Sequence, residues 1–219
     1  MDALTPTKRT TVVRHPERAL YQREHVYSIL DEAYICHIGF VAEGQPYVIP
    51  TAYGRAGDQL YLHGSAASRM LRSLAEGIDL CMTVTLVDGL VLARSAFRNS
   101  INYRSVVILG KARLVTDEAE KMEGLRCLTN HVLPCRWEEV RPPNRTEMVS
   151  TSVLALRIEE ASAKVRSGPP KDLEDDFSMP VWAGVVPVYT VMGEPSPDEH
   201  VPPGVPVVDR KRFPRFLRT

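Results

Sequence analysis

The chain has 219 residues, and its 27 Lys and Arg are balanced by 27 Asp and Glu, so the formal net charge is zero. This balance argues against general binding to nucleic acid or to an anionic membrane, because both need an excess of cations. No apolar run reaches the roughly 18 residues of a membrane span, and the first residues lack the apolar core of a signal peptide. Four cysteines without an export signal are typical of free thiols, so we expect a soluble, cytoplasmic protein.

The first half of the chain predicts a polar arm, a helix and then strands. Residues 1–15 are polar and basic and predict a flexible arm. After Pro16, the apolar residues of ERALYQREHVYSILDEA recur at helical spacing, which predicts an amphipathic helix. From Tyr34 onward, YICHIGFVA, PYVIPTAYGR and QLYLH are apolar runs separated by glycine-containing turns, and RMLRSLAEG returns to helical spacing.

The second half adds further strands, one more helix and a tail. DLCMTVTLV and LVLARSAF flank Asp88-Gly89, a pair that is typical of hairpin turns, and SVVILGKARLV predicts another strand. Asp117 and Glu120 form a capping pattern for a helix over EAEKMEGLRCLTNHVL. STSVLALRIEE then predicts a late strand, PVWAGVVPVYTV closes the folded part, and the proline-rich residues 193–219 predict an extended tail.

Strand number and spacing indicate the fold class. Six or seven strands with only two or three helices between them predict a mainly β (α+β) antiparallel barrel or sandwich with flanking helices. No internal repeat is present. We therefore expect one domain over residues 16–192, preceded by the arm (1–15) and followed by the tail (193–219).

The stretch LYLHGSAASRML passes from a strand through small polar residues into a helix. A helix N-terminus offers unpaired N–H groups to an anion, and Arg69 adds a guanidinium suited to phosphate oxygens. Ser65, Ser68 and Arg69 therefore suggest a phosphate site. Ser65 and Ser68 can both serve as helix caps. The alternative is that Ser65 only caps the helix while Arg69 faces solvent. His63, at the strand end, is by itself more typical of a packed residue than of a catalytic one.

Two other groups of residues were weighed as sites. Cys127, His131 and Cys135 stand at i, i+4 and i+8, but a structural zinc site needs a fourth ligand, so we predict no metal site. Lys164 and Arg166 share one face of a strand. They either face an anionic substrate or partner, or they form a solvated face.

The order of these segments resembles the FMN-binding split-barrel family, in particular its pyridoxamine 5′-phosphate oxidase-like branch with the nitroimidazole-resistance proteins. The resemblance rests on PYVIPTAY, LYLHGSAASRML, DGLVLARSAF, NYRSVV and PVWAGVVPV, and it covers about residues 14–192. It implies a split β-barrel and a homodimer that holds two FMN molecules at its interface, each touched by both subunits. The implied cofactor contacts are Val48, Ile49, Pro50, Thr51 and Ala52 along the flavin ring, His63 beside it, Ser65, Ser68 and Arg69 at the phosphate, Asn102 and Arg104 near the interface, and Trp182 close to the cofactor.

Two departures from the family narrow the function that the resemblance implies. Arg69-Met70 stands where pyridoxamine phosphate oxidases commonly have Arg-Lys, and their basic, histidine-containing C-terminal motif is absent. We therefore predict an FMN-dependent oxidoreductase that acts on a small molecule and is not a true pyridoxamine phosphate oxidase. His63 is the candidate proton donor or substrate contact.

Two alternative functions stay open. Split-barrel relatives bind haem or the deazaflavin F420, so the chain is alternatively a non-catalytic flavin, F420 or haem binder, with His63, His37 or His25 as the haem ligand. In the other alternative the site is empty and the chain is a structural or regulatory dimer. The retention of Ser68, Arg69 and the segment NYR argues against this alternative. The sequence has no G-x-G-x-x-G fingerprint, so any nicotinamide would dock transiently over the flavin.

Overall fold

The computed structural model describes residues 2–209 and 212–213, and these carry ten strands and four α-helices. The strands are β1 (Ala19–Leu20), β2 (Ile35–Ala42), β3 (Gln45–Ala56), β4 (Gln59–Ser65), β5 (Asp79–Leu92), β6 (Ser100–Lys111), β7 (Arg113–Leu114), β8 (Thr151–Arg157), β9 (Glu160–Arg166) and β10 (Gly184–Pro187). The helices are α1 (Arg23–Glu32), α2 (Arg69–Ala75), α3 (Glu118–Val132) and α4 (Arg145–Ser150). None of these four helices has the length and apolar character needed to cross a bilayer.

The strands form one antiparallel sheet that does not close on itself. Its order is β1-β9-β6-β5-β2-β3-β4-β8-β7, and β10 pairs with β5. β3 changes partner along its length: it pairs with β2 up to Ala52 and with β4 from Tyr53 onward. This change of partner gives a split-barrel-like sheet, so the predicted antiparallel α+β class is confirmed. Beyond the predicted strands, the structure adds the short strands β1 and β10, and it divides SVVILGKARLV between β6 and β7.

Two apolar clusters hold the helices on the sheet. The main core fills the space enclosed by the sheet, and α1 and α2 are packed into it through Val26, Ile29, Leu30, Met70, Leu71 and Leu74. A smaller cluster holds α3 against the outer side of β4 and β8 and includes Tyr61, Leu128 and Val153. A Cβ on Gly54 would lie 2.9 Å from backbone atoms of Cys127 and Leu128. The missing side chain at Gly54 therefore allows α3 to lie directly on β3.

Asp88-Gly89 forms no hairpin turn, which corrects the sequence prediction. β5 runs through both residues and pairs with β6 on either side of them, with a bulge between Val87 and Gly89. The ladder that β5 forms with β6 outweighs the local turn preference of the pair, and the extra residue is accommodated by the bulge.

The helix starts follow the sequence in two cases and depart from it in one. Ser68 and Asp117 cap α2 and α3, and Asp117 Oδ1 accepts from Glu120 N at 2.8 Å, as predicted. The helix predicted from Pro16 onward begins only at Arg23. The intervening Ala19 and Leu20 pair with β9, and this pairing removes the first part of the predicted helix.

The segment predicted as a flexible arm contacts the rest of the chain. Leu4 is 3% exposed within the main core, and its N–H donates to Tyr21 O at 2.8 Å. Thr10 is buried as well. The arm is therefore anchored at these points, while the domain bounds stay a prediction. In the tail, Arg212 donates to Pro134 O at 2.6 Å, and residues 210–211 and 214–219 lie outside the described residues.

Candidate functional site

One outer surface of the sheet is left without a covering helix among the described residues. α3 covers β4, β8 and the end of β3, whereas the outward side chains of β2, the first part of β3 and the start of β5 remain accessible. Cross-strand pairs define this surface, because directly opposed residues point to the same side. We call it the bare face, and its members are Ile35, His37, Gly39, Val41, Val48, Pro50, Ala52, Cys81 and Thr83.

The segment predicted to lie along a flavin ring is on this face only in part. Alternation along β3 turns Val48, Pro50 and Ala52 outward, and Val48 is 70% exposed. Ile49 packs instead against the main core, and Thr51 lies opposite the buried Cys36. The three outward side chains form an apolar strip, which we call the β3 wall (Val48, Pro50 and Ala52).

The β3 wall lies between two histidines. His37 is directly opposite Pro50 on β2. His63 follows Leu62, whose partner on β3 is Tyr53, and His63 itself pairs with Val153 on β8, just past the point where β3 and β4 stop pairing. Their strands, β2 and β4, are two steps apart in the sheet order, with β3 between them.

The surroundings of His63 keep its imidazole neutral. Although the residue reaches solvent, burial of part of the ring lowers the pKa of His63 below its ordinary value, because desolvation disfavours the imidazolium. In the neutral form one ring nitrogen carries a lone pair, which can accept a proton or ligate a metal.

The predicted phosphate residues come together at the start of α2. Ser68 Oγ accepts from Leu71 N at 3.5 Å, and Ser65 Oγ accepts from Ala67 N at 3.2 Å. Arg69 is exposed, and its guanidinium carbon lies 4.6 Å from the ring centroid of Tyr47. Ser68 is therefore the cap of α2, whereas Ser65, which the alternative expected to cap the helix, accepts only from the turn before it. The Arg69 side chain is exposed, as that alternative expected. Phosphate binding here stays a prediction.

Asn102 is buried and orients a second arginine. Its amide oxygen accepts from Arg166, and its amide nitrogen donates to Gly168 O at 3.2 Å. These bonds occupy both ends of the amide. The implied contact of Asn102 with a flavin is untested, and the structure gives the residue a positioning role toward Arg166.

Arg104 lies between two carboxylates, and we call this group the clamp (Glu32, Asp88 and Arg104). Its Nη2 donates to Glu32 Oε1 at 2.9 Å and to Asp88 Oδ1 at 2.7 Å, and its Nε donates to Asp88 Oδ2 at 3.0 Å. Hydrogen bonds to Glu32 and Asp88 raise the pKa of the guanidinium further above its ordinary value. The clamp joins the end of α1 to the bulge of β5, and a contact of Arg104 with a flavin stays a prediction.

Trp182 precedes β10 and is 64% exposed. Its indole folds over Gly184, where a Cβ would lie 2.9 Å from the ring. Phe177, Val181 and Tyr189, which are near it in the sequence, are exposed as well. The predicted packing of Trp182 close to a cofactor is untested.

Sequence reasoning missed residues that act through tertiary contacts. Tyr47 stacks under Arg69 and on Phe40, with ring centroids 5.5 Å apart. Glu32 pairs with Arg104 across 72 positions of sequence. Neither residue belongs to a local motif, so only the fold could identify it.

The comparisons with known proteins agree with the fold. The family model described as pyridoxamine 5′-phosphate oxidase matches residues 22–165, well over half of the chain. The chain therefore belongs to the pyridoxamine 5′-phosphate oxidase family, and the predicted resemblance is confirmed. A search of curated proteins finds no match.

Two solved structures are similar over most of the chain. The flavocytochrome Anf3 from Azotobacter vinelandii is 43% identical with a TM-score of 0.88, and the match covers 97% of this chain and 98% of that one. The FAD and haem binding protein from Mycobacterium smegmatis is 37% identical with a TM-score of 0.84, and the match covers 87% of this chain and 94% of that one. A candidate 5-nitroimidazole antibiotic resistance protein from Bacteroides thetaiotaomicron shares the fold. It is 24% identical with a TM-score of 0.55, and the match covers 67% of this chain and 86% of that one.

Proposed function

We propose that the chain is a redox protein that binds a flavin and haem and works as a homodimer. The observation that carries the proposal is its similarity, over nearly the whole chain, to one protein named a flavocytochrome and another named for binding FAD and haem. The flavin is FAD in the second of these names, so the proposal replaces the predicted FMN with FAD. F420 gains no support from either name.

The residues of the β3 wall and the start of α2 fit a flavin. The β3 wall supplies an apolar strip with an extended backbone, and Pro50 favours that extension. Arg69 at the start of α2 provides a cation with open N–H groups for a phosphate. When bound, a flavin supplies hydride and single-electron transfer, and haem supplies single-electron and oxygen chemistry. The protein supplies the apolar wall, the anion contacts and the histidines that flank them.

His63 is the proposed haem ligand. Iron binds the neutral imidazole, and the lowered pKa of His63 favours that form at neutral pH. This assignment gives His63 a task different from the predicted proton transfer to or from a substrate. His37, at the other edge of the wall, is the second candidate ligand.

A second copy of the chain is the proposed cover of the bare face. Exposed apolar side chains on that face include Ile35, Val41 and Val48, and the exposed Trp182 adds a further apolar surface. A contiguous apolar patch on a folded chain marks an interaction surface. Two-fold pairing would cover the bare face of one subunit with the bare face of the other. The β3 wall would then be enclosed, and this enclosure favours cofactor binding at the interface.

Absorption spectroscopy tests the proposal. The protein purified after expression with haem supplementation should show flavin bands and a Soret band together. His63→Ala should lose the Soret band and keep the flavin bands, while the control His200→Ala, altered in the exposed tail, should keep both. Loss of the Soret band in His37→Ala or His25→Ala alone would move the ligand to that residue. A protein with flavin only, and slower turnover in His63→Ala, would favour the predicted flavin-dependent oxidoreductase. A colourless protein would refute both.

A further inference from the structure

Basic side chains from four separate parts of the chain meet at one cleft. This cleft has a volume of ≈590 Å³ and lies at β6 and β9, and a second, smaller one of ≈380 Å³ lies at the Arg69 side of the molecule. We call the larger one the basic cleft, and its cations are Arg14, Arg18, Arg98, Lys164, Arg166 and Lys171. No acidic residue is among the described residues that line it. In a chain with zero formal net charge, this is a strong local excess of positive charge.

Most of these cations have no carboxylate partner among the described residues. Arg18 lies 3.6 Å from Glu17. Lys164 donates instead to the backbone oxygen of Arg14 at 3.0 Å, and Arg166 donates to the amide oxygen of Asn102. Elsewhere in the same chain arginines are paired, as Arg104 is in the clamp. The unpaired charges therefore leave room for an anionic ligand.

Arg166 is the best-defined anion contact in the cleft. It is 9% exposed and is held in place by Asn102, which is itself bound to Gly168. Burial and the charge of Arg18 lower the pKa of the Arg166 guanidinium. A buried charge without a counter-charge is unfavourable, and an anion in the cleft would remove that penalty.

An aromatic side chain stands at the same cleft. Phe97 is 90% exposed and lines the cleft together with Tyr103. A large apolar ring so open to solvent is suited to stacking on a flat base. Cations deep in the cleft and an exposed ring at its edge together match a nucleotide better than a simple anion such as phosphate.

We propose that the basic cleft binds the diphosphate of an adenine dinucleotide, with Phe97 stacking on the adenine. The cleft is separate from the predicted phosphate residues, because β9 and β4 are five strand steps apart in the sheet order, or about 24 Å along the surface. β9 is only three steps, about 14 Å, from β2 and the bare face. The adenosine diphosphate group therefore belongs either to FAD, with its ring on the β3 wall, or to a dissociable NAD(P)H. In the first case the inference rests on the proposed function.

Titration with a fluorescent ADP derivative tests the cleft, on the full-length protein as purified and again after release of any flavin. Lys171→Ala and Arg166→Gln should each weaken ADP binding by about tenfold to a hundredfold, as expected for charge-assisted hydrogen bonds. Phe97→Ala should weaken binding of ADP and leave binding of pyrophosphate unchanged. Arg126→Ala, which removes an exposed arginine paired with Glu123 on α3, is the matched control. Circular dichroism checks folding, and the exposed Lys171 keeps the test valid if Arg166→Gln fails to fold.

The two sources of the nucleotide give different outcomes. Binding of ADP to the protein as purified supports the cleft and assigns it to NAD(P)H. Binding only after flavin release, with competition by FAD and not by FMN, supports the cleft and assigns it to FAD. The proposal is overturned if ADP binds to neither form of the protein. It is also overturned if Arg126→Ala weakens ADP binding as much as Lys171→Ala and Arg166→Gln do, or if inorganic phosphate binds as tightly as ADP. The absorption spectrum reports flavin and haem separately, so failure of the proposed function is distinguishable from failure of the cleft.

Discussion

Replacing Arg104 with Leu tests whether this arginine stabilises the fold or reaches a flavin. The side chain is 22% exposed, and its partners Glu32 and Asp88 are 24% and 31% exposed. A hydrogen bond between charged groups contributes roughly 1.5–3 kcal/mol, and partial exposure reduces that value. Loss of both pairs, together with the remaining repulsion between the two carboxylates, should lower the free energy of unfolding by about 3 kcal/mol. For a chain of this size the melting temperature should fall by about 6–12 °C.

Thermal unfolding followed by circular dichroism measures this effect, with flavin affinity measured on the same samples. Arg126→Leu removes the more exposed pair with Glu123 and should cost less than about 1 kcal/mol. Adding Glu32→Gln and Asp88→Asn to Arg104→Leu should restore part of the stability, because the repulsion is then removed. A melting shift no larger than that of Arg126→Leu would refute the clamp. Weaker flavin binding at unchanged stability would instead support the contact that the family resemblance implies.

Three further predictions follow from other parts of the structure. Gly54→Ala should lower the free energy of unfolding by about 1–3 kcal/mol, because the added Cβ overpacks against α3. Gly39→Ala, where the added Cβ would lie 3.6 Å from its nearest neighbour, should change that free energy little. Chemical denaturation compares the two variants, and equal effects would contradict the packing argument. The pKa of His63 is lowered in the folded chain, so the unfolded chain binds more protons than the folded chain as pH falls below about 6.5. The free energy of unfolding should therefore decline below that pH, and it should decline less steeply in His63→Gln. Parallel declines in the two proteins would exclude His63 as the cause. Val48→Asp should shift sedimentation from dimer to monomer, and an unchanged dimer would place the interface elsewhere.

The sequence was sufficient for features that local chemistry determines. Ser68 and Asp117 were correctly predicted as helix caps, because a cap needs only the next few residues. The strand texture from Tyr34 onward likewise predicted the antiparallel fold, since alternation of side chains follows directly from strand geometry. Lys164 and Arg166 were predicted to share one face of a strand, and both line the basic cleft.

Long-range pairing accounts for what the sequence did not predict. Asp88-Gly89 lies within a ladder with β6 and contributes a carboxylate to Arg104 rather than a turn. Leu4 is buried because the chain returns to it at Tyr21, a contact with no local signal. The basic cleft combines residues from the arm, from the turn before β6, from β9 and from the loop after it. The sequence singled out Lys164 and Arg166 as a candidate anion contact, but it could not show that Arg14, Arg18 and Arg98 join them.

The continuity of β5 makes one strand a mechanical link between distant parts of the molecule. Its early residues Cys81 and Thr83 belong to the bare face, its bulge holds Asp88, and its last residues pair with β10. β6 pairs along nearly all of one edge of β5, while β2 and β10 pair with the two ends of its other edge. Asp88, at the bulge between those ends, is bonded to Arg104, which is bonded in turn to Glu32 at the end of α1. A single continuous strand therefore gives the bare face, the clamp and the C-terminal segment a direct covalent and hydrogen-bonded connection with one another.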